Sequence, residues 1–143
     1  MTNKRNEKSS LDSATVVAQA IEAGGFVEFD INRILTGCSI AHAGGSNAVQ
    51  LLTPGLYLVM FNGDLVADAA GEITVQMYNN NIALAGASTT ITAVAATDYQ
   101  IAFSALVRVL PSCCYIDNTS NIQVGLSAAG TITNGHIVVV KQA

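Results

Sequence analysis

The side chains with chemical potential in this chain are few: Cys38, Cys113 and Cys114, the histidines His42 and His136, and a carboxylate series Asp64, Asp68 and Glu72. A zinc site assembled from them would need three or four ligands, for example Cys38, Cys113, Cys114 and His136. The sequence has no C-x-x-C and no histidine pair at helical spacing. Adjacent residues of a strand point to opposite faces, so Cys113 and Cys114 are poorly placed to share one ion. The favoured reading is three reduced thiols packed as small apolar side chains. His42 or His136 could serve as a general base, but no nucleophile elbow of the G-x-S-x-G type accompanies them. "NGDLVADAAGE" (62–72) reads as one acidic loop, a possible calcium ligand set that lacks EF-hand spacing; a solvated loop is the default. The expectation is therefore no catalytic residue, no cofactor and no metal.

The elements that carry these residues read as strands. Residues 1–14 look like a mobile polar arm, with Lys4, Arg5 and Lys8 as its cations. "TVVAQAIEA" (15–23) reads as a strand turned by Gly24-Gly25 into "FVEFDI" (26–31), which alternates cleanly. "CSIAHAGG" (38–45) and "AVQLL" (48–52) are short strands about a turn. "EITVQMY" (72–78) leads through "NNN" (79–81), a tight turn because asparagine tolerates positive φ, into "IALAGA". "STTITAVAAT" (88–97) could be strand or loop. "YQIAFSALVRVL" (99–110) alternates over its whole length and stops at Pro111. "NIQVGLS" (121–127) and "HIVVVKQ" (136–142) close the chain across the turn-rich "AAGTITNG". Many short strands and no long helix predict an all-β, two-sheet antiparallel jelly roll over residues 15–143, a single domain behind a short arm.

One strand is unusual. In "TPGLYLVMFNG" (53–63) a Pro-Gly corner opens six consecutive apolar residues, Leu56, Tyr57, Leu58, Val59, Met60 and Phe61. Leu56, Leu58 and Met60 share one face; Tyr57, Val59 and Phe61 share the other. An antiparallel sheet is seldom apolar on both faces unless both are covered. One set should fill the core and the other should meet another copy of the chain, although the sequence does not say which.

Composition agrees. Hydrophobic residues make up 50% of the 143 residues and charged residues 11%, against about 25% charged in an ordinary soluble domain. After Arg33 the only charges are Asp64, Asp68, Glu72, Asp98, Arg108, Asp117 and Lys141. Depletion of charge is a property of interface cores. The net charge of −4, without a basic stripe, argues against a nucleic-acid partner. No apolar run is long enough for a helical membrane span. "MTNKRNEKSS" lacks the apolar region of a signal peptide, so folding in a cytoplasm is expected.

"TPGLYLVMFNGDL" resembles the "pGxYxvxfxv" strand of C1q/TNF-like jelly rolls. "GEITVQMYNNNIALAGA" resembles the hairpin that follows in that family, and "FSALVRVLPSCCYIDN", "NIQVGLS" and "HIVVVK" resemble its last strands. The nearest flavour is the bacterial and phage branch: C-terminal domains of bacillus exosporium collagen-like proteins, and phage head-fibre or decoration proteins. The likeness spans about residues 15–142. A Gly-X-Y collagen stalk is absent from the sequence, and aromatic content is thinner than in the family. The resemblance implies a compact homotrimer with a non-enzymatic structural or adhesive role. It points to a bacteriophage virion protein, anchored to the major capsid protein or another virion component through Lys4, Arg5 and Lys8 of the arm. The alternative it implies is a receptor- or glycan-binding head, on a tail fibre or a spore surface, with a host-surface ligand.

Overall fold

The computed structural model describes residues 8–111 and 119–143. Eleven antiparallel strands, with no helix among the described residues, form two sheets packed face to face as a jelly roll. Sheet I has the order β3 (Ile31–Thr36), β1 (Ser10–Ala14), β11 (Gly130–Lys141), β6 (Gly55–Ala67), β9 (Asp98–Val109), with β2 (Gln19–Ile21) also paired to β11. Sheet II has the order β4 (Ile40–Ala41), β5 (Val49–Leu51), β10 (Ser120–Leu126), β7 (Gly71–Asn79), β8 (Ile82–Ala93).

The alternation of each long strand decides what lies between the sheets. β6 sends Tyr57, Val59, Phe61 and Leu65 inward, β11 sends Ile132, Ile137 and Val139, and β9 sends Ile101, Val107 and Val109. Ile73, Val75 and Met77 of β7 and Ile122, Val124 and Leu126 of β10 meet them from sheet II. Aromatic rings pack together within this core. Phe61 lies 5.5 Å from Phe103 and 6.1 Å from Phe29, the latter pair edge to face, a geometry that adds stabilisation beyond burial.

The Pro-Gly corner is fixed by a buried polar chain. The Tyr57 hydroxyl, fully enclosed, donates to the Thr53 carbonyl at 2.7 Å. Thr53 Oγ1 donates to Ser39 Oγ at 2.7 Å, and the Ser39 N–H donates to Ser9 Oγ at 3.0 Å. Three segments far apart in sequence, at Ser9, Ser39 and Thr53–Tyr57, are thereby tied where the chain enters sheet I. The far end of the chain is tied there too: the Lys141 N–H donates to the Ser9 carbonyl, and the Leu56 N–H to the Ala143 carbonyl.

Several boundaries differ from the sequence expectation. Ser10–Ala14 belongs to β1, inside sheet I, so the polar "SLDSA" is body rather than arm. Its alternation is short but real: Leu11 and Ser13 face inward and are buried. Residues 26–30 do not form a strand. They run along sheet II with a single bridge from Phe26 to Gly125, while Val27 and Phe29 still point inward. The strand is instead Ile31–Thr36, an edge strand that alternation alone did not reveal because all but one of its residues are exposed. The 15–23 segment contributes only the three residues of β2. "IALAGA" and "STTITA" are one strand, β8, bent by a bulge in which Met77 of β7 faces Leu84–Ala87. Gly86 takes φ +86° there, and the Gln76 amide donates to the Met77, Leu84 and Ala87 carbonyls at the bulge. The Asn80-Asn81 turn does adopt positive φ at both residues, 52° and 69°.

Tyr57→Phe is expected to lower stability by about 1–3 kcal/mol, because the part-buried Thr53 carbonyl loses its donor. Urea unfolding of the two proteins side by side measures this.

Candidate functional site: the outward face of sheet I

The residues nominated for chemistry are dispersed. Asp64 is in β6 and Glu72 in β7, so only 68–70 separate the two strands and the expected acidic loop does not exist. Asp64 accepts a hydrogen bond from Asn134 Nδ2 at 3.0 Å. Cys38 is exposed in the turn between β3 and β4 rather than packed. Cys113 and Cys114, like Lys4 and Arg5 of the arm, lie outside the described residues, whereas Lys8 is exposed at the edge of the body. Among the described residues no three histidine, cysteine or carboxylate side chains come together as a metal site.

The two histidines have separate surroundings. His42 is buried at the β3/β4 edge. Its Nδ1 meets Asn32 Oδ1 at 2.6 Å and its Nε2 meets the Ser46 carbonyl at 2.9 Å. Asn32 Nδ2 in turn donates to the His42 carbonyl at 2.7 Å, and the Ser13 hydroxyl reaches Asn32 Oδ1. This network pins β1, β3 and the 43–46 turn together, and it leaves no ring nitrogen for a substrate. His136 lies on the outward face of sheet I. Its Nε2–H donates to Asp12 Oδ1 at 2.6 Å, and Asp12 Oδ2 accepts from Arg33 Nη1 at 2.9 Å. Arg33 reaches Asp12 because a register shift between β1 and β3 makes it the extra residue at that point.

Among the described residues, the outward face of sheet I has no layer packed over it. Cross-strand register sorts it into rows. Ser10, Val140, Leu58 and Leu106 form one row across β1, β11, β6 and β9. Ile34, Asp12, Val138, Met60 and Ser104 form the next, with β3 added. Ala14, His136, Asn62 and Ala102 form a third. Leu56 sits at one end, opposite Arg108. Leu56, Leu58, Met60, Val138 and Val140 are only partly buried, and Leu106 is 61% exposed. Single exposed apolar residues are ordinary; a contiguous patch over three strands marks a contact surface. The unusual 56–61 strand thus divides as its alternation requires. Tyr57, Val59 and Phe61 are core, and Leu56, Leu58 and Met60 form the open stripe. The partners of that stripe on β9 and β11 were not singled out by the sequence reading, although the alternation of both segments contained them.

No protein-family model matches the sequence, and no curated protein matches it. Solved structures do match in shape. Murine APRIL, crystallised at pH 5.0, superposes with a TM-score of 0.72 at 12% identity, covering 95% of this chain and all of that one. The same protein at pH 8.0 gives 0.70 at 13% identity over 95% of this chain and all of that one. The globular domain of zebrafish complement 1qA gives 0.63 at 9% identity, covering 92% of this chain and 94% of that one. At such low identity the likeness is one of fold, and the fold is the C1q/TNF-like jelly roll.

If His42 is structural, His42→Ala should lower the melting temperature and cost roughly 1–3 kcal/mol, since the buried ring that joins Asn32 to the 43–46 turn is lost and one of its two acceptors, Asn32 Oδ1 or the Ser46 carbonyl, loses an N–H donor. Thermal unfolding followed by circular dichroism checks this.

Proposed function

We propose that this chain is a non-catalytic assembly module that forms a homotrimer through the outward face of sheet I. The observation that carries the reading is the apolar stripe Leu56, Leu58, Met60, Val138, Val140 and Leu106, left open to solvent among the described residues. The compact homotrimer implied by the C1q/TNF-like resemblance supplies the occupant: further copies of the same surface. The low charge of the sequence supports the same reading. Histidines engaged with structural partners and the scattered carboxylates support a binding role over a catalytic one.

The biological setting follows from the sequence resemblance. We read the chain as a structural protein of a bacteriophage virion, a head fibre or capsid decoration protein, folded in the host cytoplasm and incorporated into the particle. Residues 1–8, with Lys4, Arg5 and Lys8, would dock on the major capsid protein or another virion component. Lys8 enters the body at the same end of sheet I where Ala143 packs against the start of β6, so an anchored arm leaves the opposite end of the sandwich pointing outward. Three copies held together would present that end multivalently. A glycan- or receptor-binding head is the alternative occupant of the same architecture, and a glycan array on the purified protein separates the two.

Leu58→Asp is expected to leave the circular-dichroism spectrum intact and to yield a monomer, whereas Phe61→Ala should cost about 3–5 kcal/mol of fold stability. Light scattering and urea unfolding read the two effects. A trimeric Leu58→Asp protein, or a monomeric parent, overturns the assembly reading. Deletion of residues 1–8 is expected to keep the trimer and to abolish incorporation into particles; full incorporation of the shortened chain refutes the anchor.

A further inference from the structure

The rows of sheet I change character along the strands. Apolar residues dominate at 56–60, 138–140 and 106, and the adjoining rows bring in charge. On that face Arg33 and Arg108 stand against Asp12, Asp64 and Asp98, two cations against three carboxylates. Asp30, beside the end of β1 where its carboxylate takes the Val16 N–H, adds a further negative charge nearby. Burying this face against copies of itself brings like net charges together, and carboxylates removed from water need compensation.

His136 is placed to supply it. It occupies the row next to Val138 and Met60, directly across from Ala14 and Asn62. Its side chain is 29% exposed and that of Asp12 19% exposed. The groups that surround it are Asp12 from β1, Arg33 from β3 acting on Asp12, Asp64 from β6, and the uncharged Asn62 and Ala102. Because Nε2–H already donates to Asp12, acid delivers a proton from solvent to Nδ1. The ring then becomes a cation hydrogen-bonded to a carboxylate, a stronger bond than the neutral one. The excess of negative charge on and around the face falls by one. Histidine is the side chain type that makes this change between about pH 5 and 8.

We propose that self-association through sheet I is tightened by protonation of His136, so that the assembly is more stable in mildly acidic medium. This rests on the self-association reading above. The test is analytical ultracentrifugation of the full chain at about pH 8 and about pH 5.5, by dilution and, for a very tight assembly, in a urea series. The expected result is a dissociation constant lower at acid pH on the order of tenfold. In His136→Gln, whose amide can still donate to Asp12 but does not titrate, the two constants should coincide. A trimer with a pH-independent constant, or pH dependence that survives in His136→Gln and so belongs to His42 or the carboxylates, overturns the proposal and leaves the assembly reading standing. A chain monomeric at both pH values overturns both. If His136→Gln fails to fold, His136→Asn takes its place in the same pair of measurements, and pH dependence that persists in it overturns the proposal.

Discussion

Everything in this molecule hangs on the register by which β6 is held between β11 and β9. A strand has two faces, and a slip of one residue would exchange them. In the observed register Tyr57, Val59 and Phe61 align with Val107, Ala105 and Phe103 on one side and with Lys141, Val139 and Ile137 on the other. That alignment stacks the aromatic and branched side chains into one layer of core. It also places Leu58 between Val140 and Leu106, and Met60 next to Val138, on the far side of the sheet. Core and stripe are therefore two products of one hydrogen-bonded ladder. The corner at Thr53–Gly55 sets its start, and the Tyr57 hydroxyl, bonded to the Thr53 carbonyl, holds that corner to its own strand.

Much of this was legible in the sequence because long alternating strands announce themselves. The segments 53–63, 72–78 and 99–110 fall largely within β6, β7 and β9, and Pro111 stands two residues beyond the last paired position, Val109. Alternation also separated the two sets of residues in 56–61, but not which set faced inward, since both are apolar. That choice depends on residues remote in sequence: Phe29 and Phe103 supply the aromatic surface that Phe61 packs against. Edge elements were the hardest to see. β3 carries Ile31, Ile34 and Leu35 in exposed positions and follows an alternating stretch that is not itself a strand. β1 is short, and its polar residues look like tail until Ser9 and Ser13 are found buried and hydrogen-bonded. The 62–72 segment misled for the opposite reason: its glycines and carboxylates suggested a loop, yet Gly63 and Asp64 continue the ladder and only a tight connection remains.

The polar groups on the outward face were invisible as a group for a different reason. Asp12, Arg33 and His136 come from the first, third and last strands of sheet I, and only the order β3-β1-β11 brings them side by side. No spacing rule connects residues 12, 33 and 136. The same holds for His42 and Asn32, whose mutual hydrogen bonds cross the turn between β3 and β4 and give a histidine a structural duty that its residue type does not suggest.

The bulge in β8 has a consequence for how such a chain can change over generations. The extra residues opposite Met77 leave carbonyls at Leu84 and Ala87 that the Gln76 amide satisfies. Residue 76 and the length of the 83–88 segment are thus coupled heritable traits. Loss of the amide first would leave part-buried carbonyls without their donor, and loss of the insertion first would leave the amide without these acceptors. Divergence at this hairpin must pass through paired changes or through an intermediate of reduced stability, so lineages that share the insertion should also share the glutamine.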